Sequence, residues 1–194
     1  MIVTDKSYDK DIEKCLDILK MGGLILYPTD TIWGIGCDAT NKDAVEKIYQ
    51  LKNRPDEKSM IVLVSDEKTI LSYVTQPDLS IFDYIKGLHK PTTVIYEGAI
   101  RLAENLISRD GSIAIRIVKD NFCRHLVKRF RKPIVSTSAN ISGYPPPGAF
   151  IDIDIAIKNG VDYIVQYRQD EMLHSLPSSV IRWNPDGTMT ILRP

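Results

Sequence analysis

Leu24-Ile25-Leu26-Tyr27-Pro28-Thr29-Asp30-Thr31-Ile32-Trp33-Gly34-Ile35-Gly36-Cys37-Asp38 opens the stretch that decides the fold, and Lys52-Asn53-Arg54-Pro55 closes it. The apolar residues Leu24 to Tyr27 predict a buried strand, which Pro28 ends because its ring removes a ladder donor. Thr29, Asp30 and Thr31 then place hydroxyls and a carboxylate at the strand's carboxyl end, where open α/β sheets bind their ligands. Thr40 or Asn41 caps a helix that carries Ala44, Val45, Ile48 and Tyr49 inward and ends near Pro55. On a continuing helix Lys52 and Arg54 would diverge by about 200°. An extended exit beside Pro55 lets both reach into one cleft.

The same alternation of strand and helix extends outward from this unit. Upstream, Ser7 or Asp9 caps a helix with Ile12, Cys15, Leu16 and Leu19 on one face and Gly22-Gly23 as its stop. Downstream, Met60 to Val64 predicts a strand buried on both faces. Ser65-Asp66-Glu67 opens a short helix, and a second helical pattern through Ile81, Phe82, Ile85 and Leu88 stops before Pro91. Thr93 to Tyr96 and Ser112 to Val118 predict strands, with Arg101 to Ile107 as a helical turn or two and Asp110-Gly111 as a turn.

Phe122, Leu126 and Phe130 form the apolar face of a further helix closed by Lys132-Pro133. Ile134 to Ser136 predicts a strand that runs into a second polar turn, Thr137-Ser138-Ala139-Asn140. Residues 151–157 alternate as a strand would, but Ala156, Lys158 and the Asn159-Gly160 stop favour a helix, followed by a strand over Asp162 to Val165. A hairpin, Ser178 to Trp183 and Thr188 to Leu192 around Asn184-Pro185-Asp186-Gly187, closes the chain.

Composition limits the classes of function. The 194 residues fit one domain, 1–194, with ordinary globular composition, 43% hydrophobic and 26% charged. The 25 basic and 25 acidic residues cancel, so any affinity for nucleic acid must come from a local patch. Arg124, Lys128, Arg129, Arg131 and Lys132 supply one; they read either as the solvated face of a packed helix or as an RNA backbone contact. Three scattered cysteines, Cys15, Cys37 and Cys123, argue against a disulfide framework and for a reducing compartment. Cys123 and His125 are too few for a metal site without a second pair. The opening residues lack a signal-peptide core, and no run has the length to span a bilayer, so the expected location is cytoplasmic.

No triad, Walker loop or dinucleotide fingerprint is present; Gly34 and Gly36 lack the rest of that pattern. Instead, polar turns at strand ends sit beside isolated cations, which suits the holding of anions. An ordered series carries the sharper indication: Pro28-Thr29-Asp30-Thr31-Ile32-Trp33-Gly34, Lys52-x-Arg54-Pro55, Ser112-Ile113-Ala114-Ile115-Arg116, Ser136-Thr137-Ser138-Ala139-Asn140-x-Ser142-Gly143 and Pro177-Ser178-Ser179-Val180. From about residue 10 to the C-terminus the chain resembles the YrdC/Sua5 family of threonylcarbamoyl-AMP synthases, in the short single-domain form. Trp33 stands where a tyrosine or phenylalanine is usual, and Ser59-Met60 where many members have Pro-Leu.

The resemblance implies an α/β fold, a single-domain twisted mixed open sheet flanked by helices, with a concave ligand cleft. The implied activity is a nucleotidyltransferase reaction: L-threonine, bicarbonate or CO2, and ATP with Mg2+ give threonylcarbamoyl-AMP and pyrophosphate. That product feeds N6-threonylcarbamoyladenosine at position 37 of tRNAs, through a downstream tRNA threonylcarbamoyl transferase machinery.

Lys52, Arg54, Ser138 and Asn140 match the catalytic, nucleotide-facing set, with Lys58, Ser112 and Arg193 as further ATP contacts. Thr31, Arg116, Ser136 and Ser178 or Ser179 match threonine contacts, and Thr93 is a weaker candidate. No protein side chain is singled out as a metal ligand. Alternatives of the same fold are an RNA-binding or ribosome-maturation protein and a paralogue without synthase activity. The Pro145-Pro146-Pro147 loop is a candidate lid.

Overall fold

The computed structural model describes residues 8–53, 60–172, 176–184 and 187–194. Within them, nine strands form one open mixed sheet in the order β7-β1-β2-β6-β3-β5-β4-β8-β9. In chain order the strands are β1 (Ile25–Tyr27), β2 (Gly34–Gly36), β3 (Ile61–Val64), β4 (Thr92–Tyr96), β5 (Ile113–Ile117), β6 (Ile134–Ser138), β7 (Tyr163–Ile164), β8 (Ser179–Trp183) and β9 (Met189–Arg193). The helices are α1 (Asp9–Lys20), α2 (Lys42–Lys52), α3 (Glu67–Ile70), α4 (Ser80–Lys86), α5 (Asn121–Phe130) and α6 (Ile155–Asn159).

Local chemistry accounts for most boundaries. The Asn41, Asp66, Asp120 and Asp154 side chains accept backbone N–H groups at the starts of α2, α3, α5 and α6. Asn53 ends α2 in the left-handed region at φ 48°. The apolar stripes of α1 and α5 pack on each other, α1 also against β1 and β7, and α5 against β3. Phe122, Leu126, Cys15 and Ile12 are fully enclosed there.

Some boundaries differ from the expectation. The α1 N-cap is Tyr8, without a side-chain hydrogen bond, rather than Asp9; Ser7 lies outside the described residues. Gly34–Gly36, given no element above, is a strand that pairs antiparallel with β1 and β6. Gly36 is needed there because a Cβ would come within 2.8 Å of the Val135 carbonyl and 2.7 Å of the Tyr27 ring. Strand β6 continues through Thr137 and Ser138, which read as a turn, because its second half finds a partner in β2 while its first half pairs with β3. The helical turn expected within residues 101–107 is a 3-10 turn, Glu104–Leu106.

Helix α6, preceded by a 3-10 turn at Phe150–Asp152, agrees with the helical reading of that ambiguous segment. The closing hairpin β8–β9 is antiparallel; Pro185 and Asp186 of its turn lie outside the described residues. The central strands have two different faces. On β5, Ile113 and Ile115 belong to the hydrophobic core, whereas Ala114 and Arg116 line a cleft on the other face.

Candidate active site

The cleft encloses about 460 Å³ on this open face of the sheet. Its floor consists of short residues from adjacent strands: Ala114 opposite Ile61, and Ser136 opposite Ile61 on the other side. Gly34 contributes a place without a side chain, where a Cβ would come within 3.1 Å of Ser136 Oγ. Short side chains on neighbouring strands leave a depression where larger residues would have filled the face.

Arg116 rises from the penultimate residue of β5 at one end of this floor. It is buried, and its Nη2 lies 3.1 Å from Asp30 Oδ1, while Nη1 donates to Thr31 Oγ1 at 3.2 Å. The turn carrying those partners is held by Thr29, whose Oγ1 accepts the Thr31 N–H and donates to the Ile32 carbonyl. Behind the pair, Asp120 caps α5; burial pushes its carboxyl above the ordinary range, the Cys123 N–H pulls it back, and the Asp30 charge pushes it further up.

At the other end, Arg193 of β9 reaches the cleft from the sheet edge. Its Nε donates to the Ser178 carbonyl at 2.8 Å and its Nη2 to Ser178 Oγ at 3.3 Å, while that hydroxyl also meets Thr93 Oγ1 at 2.9 Å. Burial, and then the neighbouring Arg116 cation, pull the Arg193 guanidinium below its usual range. Two cations face one cavity whose described lining contains no carboxylate. An anion is the ligand that relieves their repulsion.

The structure therefore brings Thr31, Arg116, Ser136, Ser138, Asn140, Ser178 and Arg193 to one cavity. Ser179 is not in its lining, being the next residue along a strand from Ser178. Ser112 is also absent; its hydroxyl donates to Asp110 Oδ1 at 2.6 Å in the turn before β5. Arg54 and Lys58 lie outside the described residues.

Lys52 takes an unforeseen position. It is fully buried, and its ammonium donates to the carbonyls of Ser138 and Asn140 from beneath the turn instead of lining the cleft. The Lys52 carbonyl in turn accepts the Ser142 N–H at 2.8 Å. Asn140 holds the next turn through Nδ2, which donates to the Ile141 and Tyr144 carbonyls, leaving Oδ1 enclosed without a hydrogen-bond partner among the described residues.

Sequence reasoning also missed Asp30 as the partner of Arg116, and no spacing signals that pairing. Lys52 did carry a signal: with Val45, Ile48 and Tyr49 it completes the buried stripe of α2 at helical spacing.

Other candidates fall elsewhere. Trp33 is buried against Phe150, ring centroids 4.9 Å apart, with one side on the cleft. Cys123 Sγ donates to the Pro28 carbonyl, and His125 Nδ1 meets Tyr8 OH. Among the described residues no three His, Cys, Asp or Glu side chains gather to hold a metal ion. Arg124, Lys128, Arg129, Arg131 and Lys132 are exposed and away from the cleft; Lys132 pairs with Asp38 at 2.6 Å and Arg129 with Glu13 at 4.0 Å. No described helix is long and apolar enough to cross a membrane.

An open mixed sheet with converging arginines and hydroxyls on one face defines an α/β domain for small anionic ligands. The comparisons narrow that class. Residues 17–194 match the Sua5/YciO/YrdC family, described as "Telomere recombination", and the chain belongs to that family. It is 33% identical over 140 residues to a threonylcarbamoyl-AMP synthase of Vibrio parahaemolyticus, covering 70% of this chain and 75% of the relative. Its fold matches P. abyssi Sua5 complexed with L-threonine at a TM-score of 0.84 and 20% identity, covering 95% of this chain and 54% of that one. The chain thus spans about half the length of that Sua5. E. coli YciO matches at a TM-score of 0.81 and 22% identity, covering 95% of this chain and 88% of that chain.

Proposed function

We propose that this chain, as a single domain over residues 1–194, is an L-threonylcarbamoyladenylate synthase. The observation that carries the reading is the cleft whose described lining holds Arg116, Arg193 and the hydroxyl-bearing residues Thr31, Ser136, Ser138 and Ser178 and no carboxylate. Membership of the family and the names of its relatives support it.

In the reaction the threonine nitrogen attacks the carbon of CO2, forming an N–C bond and releasing one proton. A carbamate oxygen then attacks the α-phosphorus of ATP, and the bond to the bridging oxygen breaks as pyrophosphate leaves. Every participant is anionic or becomes so, which calls for fixed cations and donors more than for a strong base.

Arg116 takes the threonine carboxylate, with Thr31, Ser136 and Ser178 around the amino acid. Ser138, Asn140 and Arg193 face the nucleotide, joined by Arg54 and Lys58. Lys52 serves the same subsite from below by fixing the carbonyls of Ser138 and Asn140, so that the turn presents its other groups to the phosphates. Ser112 acts through the turn that starts β5. Mg2+ would arrive with the nucleotide, bound by its phosphates, since the described lining offers it no carboxylate.

The Pro145-Pro146-Pro147 loop walls the cleft through Pro146 and is the candidate lid. The exposed basic residues of α5 and its exit are the candidate tRNA contact, compatible with delivery to a tRNA threonylcarbamoyl transferase in the cytoplasm.

Incubation of the purified protein with ATP, threonine, bicarbonate and Mg2+ is expected to release pyrophosphate only when threonine is present. Absence of threonine-dependent release overturns the assignment.

A further inference from the structure

We propose that Asp30 is the positioning residue for carboxylate recognition, acting through Arg116. The inference rests on the reading of Arg116 as the threonine carboxylate contact.

Arg116 is 3% exposed and the Asp30 side chain 8%, so both charges have left water together. The contact at 3.1 Å is an ion pair without the alignment of a hydrogen bond: among the described residues neither Asp30 oxygen accepts one, and Arg116 Nε has no partner. The turn does not need this carboxylate to fold, because Thr29 already satisfies the Thr31 N–H and binds the Ile32 carbonyl. Asp30 therefore directs its charge at the arginine.

Asp30 and Thr31 hold Nη2 and Nη1 from adjacent residues of one turn, which fixes the plane of the guanidinium. A carboxylate is gripped in that plane, so orientation matters as much as charge. The opposing possibility is that Asp30 competes with the ligand carboxylate for Arg116. The two roles predict opposite signs, and truncation separates them.

Calorimetry with threonine and, separately, ATP on folded Asp30→Ala tests this. Positioning predicts threonine affinity weakened by about tenfold or more and ATP affinity within about twofold, with threonine affinity also weakened in Asp30→Asn, which keeps the shape but not the charge that faces Nη2. Unchanged or tighter threonine binding in Asp30→Ala overturns the proposal, as does parallel loss of both ligands. If Asp30→Ala does not fold, Asp30→Ser is read in its place; failure of both assigns Asp30 to stability and also overturns it. Wild-type protein that binds no threonine defeats the synthase reading itself, whereas wild-type binding with an unaffected Asp30→Ala defeats only the positioning role.

Discussion

Arg116 and Asp30, from β5 and the turn after β1, form a buried ion pair at the edge of the ligand cleft, with their charges 3.1 Å apart. Removing one member strands the other away from water, which costs about 3 to 5 kcal/mol. Arg116→Ala should therefore lose both threonine binding and stability. Arg116→Lys should keep the charge, fold with a stability loss of about 1 kcal/mol, and still bind threonine about tenfold more weakly, because an ammonium lacks the planar fork. Parallel thermal denaturation and calorimetry separate the two effects; equal threonine affinity in Arg116→Lys would remove Arg116 from the recognition of a carboxylate.

Lys52 makes a different prediction from a surface lysine that touches phosphate. Lys52→Met leaves the Ser138 and Asn140 carbonyls without their ammonium donor. The expected loss is on the order of 2 to 3 kcal/mol in urea unfolding, accompanied by weaker ATP binding as the turn relaxes. A variant with normal stability and impaired ATP binding would place the lysine at the nucleotide instead.

Asp120 supplies a pH test. Its folded carboxyl is shifted upward, first by burial, so the folded state binds more protons than the unfolded state between the ordinary carboxylate value and the raised one. Stability should fall as pH rises through that window, starting at about pH 4. Asp120→Asn keeps a good N-cap acceptor for α5 and loses the titration. Its unfolding free energy at neutral pH should equal or exceed wild type, with a flatter pH profile; a marked loss would mean that the charge itself is needed at the cap.

The legible parts of the fold were those where periodicity and capping agree. Helix α2 is capped by Asn41, and α5 presents Phe122, Leu126 and Phe130 inward as their spacing requires. Strand β2 was hidden because Gly-Ile-Gly carries little strand propensity, while the close approach of Tyr27 and Val135 demands a missing side chain at Gly36. The end of β6 was hidden for the opposite reason. Ser136, Thr137 and Ser138 have turn chemistry, but β3 pairs with Ser136 and β2 with Thr137 and Ser138, while Ser136 and Ser138 line the cleft.

Within the site, the matched motifs indicated which residues converge, but not how far down each sits. Depth separates Arg116, whose head group faces the cavity, from Lys52, whose ammonium is used on backbone carbonyls. It arises from tertiary pairing between segments more than 80 residues apart, as in the Lys52–Ser138 and Arg116–Thr31 contacts.

Arg193 stands on β9, the outermost strand, and its guanidinium closes the cleft over Ser178. An edge strand with a solvent-exposed outer side is ordinarily the first part of a sheet to fray. Ligand held by Arg193 would couple occupancy of the cleft to the docking of β9, so its backbone amides should exchange with deuterium more slowly in the presence of ATP, while amides of the distant α1 stay unchanged. The nucleotide would then act as a clasp on the last strand, making closure of the sheet edge a readout of an occupied cleft.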